Sequence, residues 1–307
     1  MTIIFAGTPD FARESLAALV AAGFVLDLVL TQPDRPAGRG KKLTASPVKV
    51  LAQQEGIRVW QPATLREPAA VAELAMLQPD LLIVAAYGLL LPQAVLDIPR
   101  RGCVNVHASL LPRWRGASPI QAAILAGDTQ TGISLMQMEA GLDSGPVLAT
   151  RALDIVPDET AGSLHDRLAA LGASLLVHKL PAILAGSCEA APQDPNDVTY
   201  AGKIRSEDAL LDWRQAADIN ARKVRAYNPH PGAWFQCGDE RIKCWAAIAI
   251  QAGGQRPGAV IAAGPDGIDV ACATFALRMT ELQRPGRRRV SAGELAAQLS
   301  LPGKQLH

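Results

Sequence analysis

Short apolar segments alternate with amphipathic stretches through the first half of the chain. This alternation is typical of βαβ units, in which helices cover a mostly parallel sheet. The predicted strands lie at residues 2–6, 25–30, 81–86 and 103–107. Ser-Pro pairs at 46–47 and 118–119, and Thr8 followed by Pro9, predict helices that start with the hydroxyl residue as N-cap. The first half therefore predicts an α/β fold.

The pattern changes twice further along the chain. Two strands are predicted at 133–138 and 147–153, on either side of a glycine-rich turn, and a long helix at 161–184 closes the domain. Residues 185–203 lose periodicity, as surface linkers do. The predicted organisation is a first domain at 1–187, a linker at 188–203 and a second domain at 204–307.

The second domain combines one predicted helix, at 216–225, with several short strands. The predicted strands are residues 234–237, 242–250, 259–263, 267–272 and 275–282. Many short strands joined by tight glycine turns are typical of a small β-barrel or sandwich, and an OB-like barrel is one candidate.

Length and composition predict a cytosolic protein with a substantial core. The chain has 307 residues, of which 49% are hydrophobic, enough for two domains. Its apolar runs are short, so no segment approaches the roughly 20 residues that a membrane span needs. The start at Thr2 is typical of a buried strand and not of a signal sequence. Five cysteines without a Cys-x-x-Cys pair argue against a disulfide framework or a zinc site.

Basic residues are concentrated in two segments although the formal net charge is only +1. The first cluster contains Arg35, Arg39, Lys41, Lys42 and Lys49, opposed along the chain only by Asp34. The second cluster contains Arg278, Arg284, Arg287, Arg288 and Arg289, opposed only by Glu281. Each cluster alone is equally typical of a solvated loop or turn, and the glycines of the first predict a mobile loop. Together they predict a positive face for a polyanion.

Two polar side chains, Asn105 and His107, lie two positions apart at the end of a predicted strand. Residues with this spacing share one face of a strand, so an amide donor and an imidazole can converge on one substrate atom. The carboxyl ends of parallel strands form the ligand crevice of open sheets. Asp143, in the glycine-bounded turn 141–145, can return to the same place. These residues predict an acyl-transfer site, although a capped strand end and a turn-stabilising Asp are the simpler alternatives.

Other catalytic motifs are missing from the sequence. Gly7 lacks the further glycines of a dinucleotide-binding motif, and Gly40-Lys41 lacks the remaining residues of a P-loop. Neither an H-E-x-x-H helix nor a G-x-S-x-G elbow occurs. The sequence thus argues against a nicotinamide cofactor, a metal and a covalent nucleophile. Cys103 and the remaining histidines, at 165, 178, 230 and 307, are interpreted as structural or solvent-facing.

Motifs along nearly the whole chain resemble the methionyl-tRNA formyltransferase family. They are residues 5–11, 32–43, 105–116 and 137–145 in the first domain and 224–235 and 282–286 in the second. The central motif alone indicates only the wider group of folate-dependent formyltransferases, and the basic loop and the second-domain motifs narrow it to the tRNA enzymes. The sequence departs from the family pattern at Ser118, Gly202, His230 and Glu139-Ala140.

The resemblance implies an enzyme that transfers a formyl group from 10-formyltetrahydrofolate to methionine on initiator tRNA, for translation initiation. It implies a Rossmann-like domain followed by an OB-like β-barrel domain that binds tRNA, without a metal. The family's catalytic residues fall on Asn105, His107 and Asp143, and its folate-contacting segment falls on Ser109, Leu110, Leu111 and Pro112. We expect tRNA contacts from Arg35, Arg39, Lys41, Lys42, Arg287 and Arg288, and a monomer.

Formyl transfer passes through a tetrahedral carbon whose oxygen gains negative charge, so donors aimed at that oxygen accelerate the reaction. Asn105 and a protonated His107 fit this role. Asp143 either orients the imidazole and favours its charged form or relays a proton from the methionyl amine to the leaving folate nitrogen, and the sequence leaves both open.

Two rival functions use the same motifs. A formyltransferase that acts on a nucleotide sugar or a small amine would share the site but would not need two basic clusters. A folate- or tRNA-binding module without catalysis would not need Asn105, His107 and Asp143 together.

Overall fold

A computed structural model of the chain describes residues 1–37, 40, 42–298 and 303–306. It divides into two compact units. The first comprises Met1–Pro119, Gln130–Asp154 and His165–Ala201. The second comprises Ile120–Thr129, Ile155–Leu164 and Gly202–His307. The chain therefore contributes two short segments to the second unit before its C-terminal third, which the periodicity of the sequence did not indicate.

The first unit is built on a mixed sheet covered by helices. Its described strands are β1 (Ile3–Gly7), β2 (Leu28–Leu30), β3 (Arg35–Ala37), β4 (Lys42–Thr44), β5 (Val59–Trp60), β6 (Leu81–Ala85), β7 (Cys103–His107), β8 (Arg115–Gly116), β9 (Gln130–Gln137), β10 (Val147–Asp154) and β11 (Tyr200–Ala201). Along the chain its helices are α1 (Asp10–Ala21), α2 (Pro47–Gln54), α3 (Pro68–Met76) and α4 (Gln93–Leu96), followed by α5 (Pro119–Ala126) and α6 (Ala161–Ala185), each of which is shared with the second unit.

The sheet has the strand order β10-β9-β7-β6-β1-β2-β5. The strands from β7 to β5 pair in parallel, and β9 and β10 pair antiparallel at one side. The central strands β1 and β6 are buried along their whole length, which explains their uninterrupted apolar sequences. Three of the four strands predicted in the first half are confirmed to within about a residue, whereas β2 begins at Leu28, later than predicted, and Val25 is exposed.

The helix starts follow from local chemistry. The predicted start at Ser46 is confirmed, because its hydroxyl accepts a hydrogen bond from the Lys49 backbone N–H at 3.0 Å. The predicted N-cap at Thr8 is wrong. The N-cap of α1 is Pro9, and the Thr8 hydroxyl instead donates to the Tyr87 carbonyl at 2.9 Å. The hydroxyl that the local sequence assigns to the helix cap thus bonds instead to the carbonyl of a residue 79 positions away.

The second unit contains an antiparallel sheet with its own core. Its described strands are β12 (Ala233–Cys237), β13 (Glu240–Ile250), β14 (Val260–Gly264), β15 (Gly267–Ala271), β16 (Ala276–Gln283) and β17 (Val290–Ser291), and its own helices are α7 (Ala217–Ala226) and α8 (Ala292–Gln298). The order is β12-β13-β16-β15-β14, with β17 also paired to β16. Phe235, Ile268 and Leu277 lie in the core between this sheet and α7. The predicted fold class, a Rossmann-like domain followed by a β domain, is confirmed.

Helix α6 has 25 residues and a mean hydropathy of 1.7 in its most apolar window, so by length and composition alone it could cross a membrane. Polar residues interrupt its apolar sequence, so it contains no long uninterrupted apolar run. Its leucines at 164, 168, 176 and 180 are almost completely buried within the protein. The core helix of a soluble protein has the same properties, so α6 is weak evidence for a membrane span.

Candidate functional site

The candidate site lies at the carboxyl end of β7, in the middle of the first unit's sheet. Asn105 is paired with Val84 of β6 on one side and Met136 of β9 on the other. It is half-buried, and among the described residues its side-chain amide has no hydrogen-bond partner. His107, two positions on, is 6% exposed. A half-buried amide without a protein partner is available to bind a substrate.

The tautomer of His107 follows from its hydrogen bond. Its Nε2 lies 3.1 Å from the Trp114 carbonyl oxygen. A carbonyl oxygen only accepts, so Nε2 carries the proton and donates. The other ring nitrogen, Nδ1, therefore remains for chemistry and faces the carboxylate of Asp143.

Asp143 approaches from the turn between β9 and β10. Its Oδ2 lies 3.8 Å from His107 Nδ1 and accepts a hydrogen bond from the Gly116 N–H at 2.8 Å. The first distance is too long for a direct hydrogen bond, so a substrate group can engage both side chains. The Asp143 backbone has φ +47°, a left-handed conformation that Asp tolerates better than most residues. The structure thus brings Asp143 to within 3.8 Å of His107, two positions from Asn105 on β7, so the three predicted catalytic residues lie together.

The loop after β7 is held by a segment that the sequence predicts as linker. Strand β8 pairs in parallel with β11, and the Trp114 N–H donates to Thr199 Oγ1 at 2.9 Å. Gly116 has φ +117°, and a Cβ there would lie 2.5 Å from the Ala201 carbonyl oxygen, so only glycine fits. Gln193 of the same segment also contacts the Asp143 turn. No periodicity marks Gln193 or Thr199, and sequence reasoning missed both.

The predicted folate segment, Ser109 to Pro112, forms a tight turn against β9. The Ser109 hydroxyl donates to the Arg113 carbonyl at 2.6 Å, and Ser134 Oγ accepts from the Leu111 N–H at 3.0 Å. Ser109 and Leu111 are buried, whereas Leu110 and Pro112 are half-buried. The polar groups of the turn are therefore largely engaged within the protein, and its accessible surface is mainly apolar.

Further side chains fix the neighbouring loops at the same edge. Gln32 Nε2 donates to the Tyr87 carbonyl at 2.9 Å, and Gln61 Nε2 donates to Asp34 Oδ1 at 2.8 Å. Hydrogen bonds from Lys49 and then Gln61 lower the pKa of Asp34. Lys49 Nζ lies 2.7 Å from Asp34 Oδ2, so this lysine of the first basic cluster belongs to the same network. Burial raises the pKa of Tyr87 strongly, and its hydroxyl has no partner within the described part of the chain.

The first basic cluster contains a hairpin where the sequence predicts a mobile loop. Strands β3 and β4 pair antiparallel, with Arg35 opposite Thr44. Arg35 and Lys42 are exposed, while Arg39 and Lys41 lie outside the described residues. The hairpin follows the carboxyl end of β2 along the chain, and β2 runs parallel to the strands that carry the site.

The second basic cluster is less positive than its sequence suggests, because acidic partners come from elsewhere in the chain. Arg284 forms two hydrogen bonds with Glu240, at 2.8 and 2.6 Å, and Arg278 forms two with Asp269. Arg288 pairs with Glu294 at 2.9 Å. Glu281 is the only acidic residue within the segment itself, but partners from outside it offset three of its five arginines. Arg287 is exposed beside these pairs.

Three cations of the second unit, one of them a member of the second basic cluster, gather around two tryptophans. Arg241 stacks over Trp234 at 3.8 Å, and Arg289 stacks over Trp245 at 3.7 Å. Lys243 lies 5.1 Å from the Trp245 ring. Burial, followed by repulsion from Arg241 and Arg289, lowers the pKa of Lys243. We call these five residues the cation–tryptophan cluster. Among the described residues none of its cations forms an ion pair with a carboxylate.

The structure contains no group of three or more His, Cys, Asp or Glu side chains suited to a metal ion among the residues that it describes. Cys103 faces the buried interior, its Sγ donates to the Leu96 carbonyl, and burial raises its pKa to about 12. A thiol with such a raised pKa is a packing residue and not a nucleophile, in agreement with the sequence interpretation.

Two family models together match most of the chain. The family model described as formyl transferase matches residues 1–180, and the model for the formyl transferase C-terminal domain matches residues 203–300. A methionyl-tRNA formyltransferase of Aromatoleum aromaticum is 55% identical over 294 residues, which cover 96% of this chain and 93% of the relative. One from Janthinobacterium sp. is 54% identical, with 99% of each chain covered.

Solved structures share the fold at lower identity. WlaRD, a sugar 3N-formyl transferase determined in the presence of dTDP and 5-N-formyl-THF, gives a TM-score of 0.68 at 15% identity, covering 94% of this chain and 99% of that one. HypX from Aquifex aeolicus, in complex with tetrahydrofolic acid, gives a TM-score of 0.65 at 16% identity. The match covers 97% of this chain and 47% of HypX, so the chain spans about half of that protein.

Proposed function

The chain belongs to the methionyl-tRNA formyltransferase family, and we propose that its site transfers the formyl group of 10-formyltetrahydrofolate to the α-amino group of methionine on initiator tRNA. The observation that carries this proposal is the unpartnered amide of Asn105 on the same strand as His107, whose Nδ1 faces Asp143. The product, N-formylmethionyl-tRNA, serves translation initiation.

In the proposed reaction the methionyl nitrogen attacks the formyl carbon. A new bond forms between this nitrogen and the carbon, the bond from the carbon to the folate nitrogen breaks, and the proton lost by the amine ends on the folate nitrogen. The formyl oxygen carries negative charge in between. The Asn105 amide and Nδ1–H of a protonated His107 are the donors that we assign to this oxygen, since Nε2–H is already used by Trp114.

Two roles in the reaction are open to the Asp143 carboxylate. One of its oxygens accepts from Gly116, and the carboxylate lies across a 3.8 Å gap from the imidazole. A carboxylate at this distance stabilises positive charge on His107 as the oxyanion develops. It also offers an acceptor for the amine proton within reach of the same reacting group. Both roles require the negative charge of Asp143.

For the folate donor we propose that Leu110 and Pro112 shape the apolar wall of its site. Ser109 and Leu111 are buried in the turn, with polar groups already engaged, so we assign them the role of fixing that wall. Solved structures of the same fold include one in complex with tetrahydrofolic acid and one determined with 5-N-formyl-THF, which supports a folate as the donor.

For the tRNA we propose contacts with the exposed cations Arg35 and Lys42 in the first unit, and with Arg39 and Lys41, which lie outside the described residues. In the second unit we propose Arg287 and Arg288 together with the cation–tryptophan cluster. Cations without carboxylate partners are available to phosphates, and aromatic rings beside them can stack with bases. The salt bridge between Arg288 and Glu294 would have to open for Arg288 to contribute.

Replacing Lys42 or Arg35 by alanine is expected to weaken binding of methionyl-tRNA and to flatten its salt dependence. Each lost phosphate contact should reduce the slope of log K against log salt by about one unit or slightly less. Arg100→Ala is the matched control, since Arg100 is an exposed arginine just before β7, at the opposite edge of the sheet. Filter binding at several salt concentrations measures the slopes. A Lys42→Ala slope equal to that of the control would exclude this contact.

The experiment that tests the function is formyl transfer from labelled 10-formyltetrahydrofolate, followed by acid precipitation. Methionyl initiator tRNA, methionyl elongator tRNA and free methionine are compared as acceptors. Transfer to initiator tRNA alone is the expected result. Transfer to small amines or nucleotide sugars but to no tRNA would favour the rival enzyme class, and folate binding without any transfer would favour a binding module. A role in translation initiation also supports the proposed cytoplasmic location. That the protein acts as a monomer stays a prediction.

A further inference from the structure

The segment that follows α6 returns to the catalytic loops of the first unit and places one glutamine between them. Gln193 is half-buried, and its Nε2 donates to the carbonyl oxygens of Asp143 and Gly145, at 2.8 and 2.7 Å. Its Oε1 accepts from Arg115 Nε at 2.9 Å. Both amide hydrogens and the amide oxygen of this side chain are therefore engaged, and they connect the Asp143 turn with the loop that follows β7.

The Asp143 turn depends on such support. Asp143 has φ +47°, a conformation that costs a non-glycine residue free energy and persists only where its surroundings hold it. Gly145, two residues on, leaves no room for a Cβ beside the Gln137 carbonyl oxygen. Both amide hydrogens of Gln193 meet carbonyls of this turn, one of them belonging to Asp143 itself.

Gln193 also contacts the loop that follows β7, on the His107 side of the site. Arg115 lies between Trp114, whose carbonyl accepts from His107, and Gly116, whose N–H donates to the Asp143 carboxylate. Through Arg115, Gln193 is thus connected to the loop that fixes the imidazole of His107 and one oxygen of Asp143. A displacement of either loop would change the 3.8 Å separation between His107 Nδ1 and Asp143 Oδ2.

We infer that Gln193 is a positioning residue for formyl transfer, which holds the Asp143 carboxylate opposite Nδ1 of His107. This inference rests on the proposed function, because that function gives Asp143 and His107 their roles. Gln193 acts through these two residues and itself touches neither the formyl group nor the amine. Its loss should therefore lower kcat and leave the KM for both substrates almost unchanged.

Three variants separate this role from a general contribution to folding. Gln193→Ala removes all three hydrogen bonds. Gln193→Glu keeps an acceptor for Arg115 but has no N–H to donate to the Asp143 turn. Gln130→Ala is the matched control, because Gln130 is an exposed glutamine of the same unit. It is bonded to Asp154 and lies at the end of β9 away from the Asp143 turn.

We expect Gln193→Ala to lower kcat roughly 10- to 100-fold, because a misplacement of about 1 Å at a catalytic group has effects of this size. Gln193→Glu should lose at least as much, and Gln130→Ala should match the unsubstituted protein. In an Asp143→Asn background, Gln193→Ala should cause little further loss, since the carboxylate that it positions is already gone. Steady-state kinetics with methionyl initiator tRNA measure all of these, below the melting temperature of each variant.

Three results would overturn the inference. These are a kcat for Gln193→Ala equal to that of Gln130→Ala, an unchanged kcat for Gln193→Glu, and independent, multiplying losses in the double variant. The last is the signature of a merely structural role. If the unsubstituted protein transfers no formyl group to methionyl-tRNA, the proposed function itself fails, and this outcome differs from all three.

Discussion

Replacing Asp143 by asparagine is expected to lower kcat by roughly 10²- to 10⁴-fold, the range typical of a lost acid–base or charge-stabilising group. Asparagine preserves the size of the side chain and tolerates the left-handed backbone at this position, where φ is +47°. Its amide oxygen can still accept from the Gly116 N–H. The substitution therefore removes the negative charge opposite His107 and changes little else.

The measurement for Asp143→Asn is single-turnover formylation of methionyl initiator tRNA with saturating folate donor, so that product release does not hide the chemical step. Asp154→Asn is the control, because Asp154 is an exposed aspartate at the end of β10 that accepts from Gln130. A rate for Asp143→Asn equal to that of the control would show that the charge of Asp143 has no part in the transfer.

Replacing Asn105 by alanine is expected to lower kcat by roughly 10²- to 10³-fold, as the removal of one oxyanion donor does in other acyl-transfer sites. The Asn105 amide has no hydrogen-bond partner among the described residues, so its removal leaves no protein group newly unsatisfied. The fold should therefore tolerate the change, and the loss should come from the transition state, with tRNA affinity almost unchanged.

A second variant makes the test of Asn105 sharper. Asn105→Asp keeps the size of the side chain but replaces the donor with an anion, which would repel the developing oxyanion, so its kcat should fall at least as far as that of Asn105→Ala. Asn196→Ala, which truncates an exposed asparagine whose side chain bonds, among the described residues, only to Asp194, is the control. Weaker tRNA binding with unchanged turnover would assign Asn105 to substrate binding and not to catalysis.

The sequence predicted the central features of the site because they depend on local geometry. The spacing of Asn105 and His107 places them on one face of β7 whatever surrounds the strand. The position of Asp143 could be predicted for a similar reason, since this residue lies in a turn bounded by glycines. The apolar runs of β1, β6 and β7 predicted the sheet itself, because strands buried on both faces need little else.

Partners that are distant along the chain could not be predicted in this way. Asp269 lies 9 residues from Arg278, and Glu240 lies 44 residues from Arg284, so counting charges within one segment overestimated how positive the second cluster is. Thr8 was assigned to a helix cap because its partner, the Tyr87 carbonyl, is 79 residues away. Each of these contacts forms because the sheet of its unit brings together residues that no local pattern connects.

The pairing of β8 with β11 affects how far the catalytic part of the protein extends. A fragment that ends at residue 187 would still contain Asn105, His107 and Asp143, the three residues that we propose to be catalytic. It would lack Gln193, the Thr199 hydroxyl that holds Trp114, and the strand that pairs with Arg115 and Gly116. Any attempt to separate the first unit, or to graft it onto another acceptor-binding domain, must therefore carry the chain through Ala201.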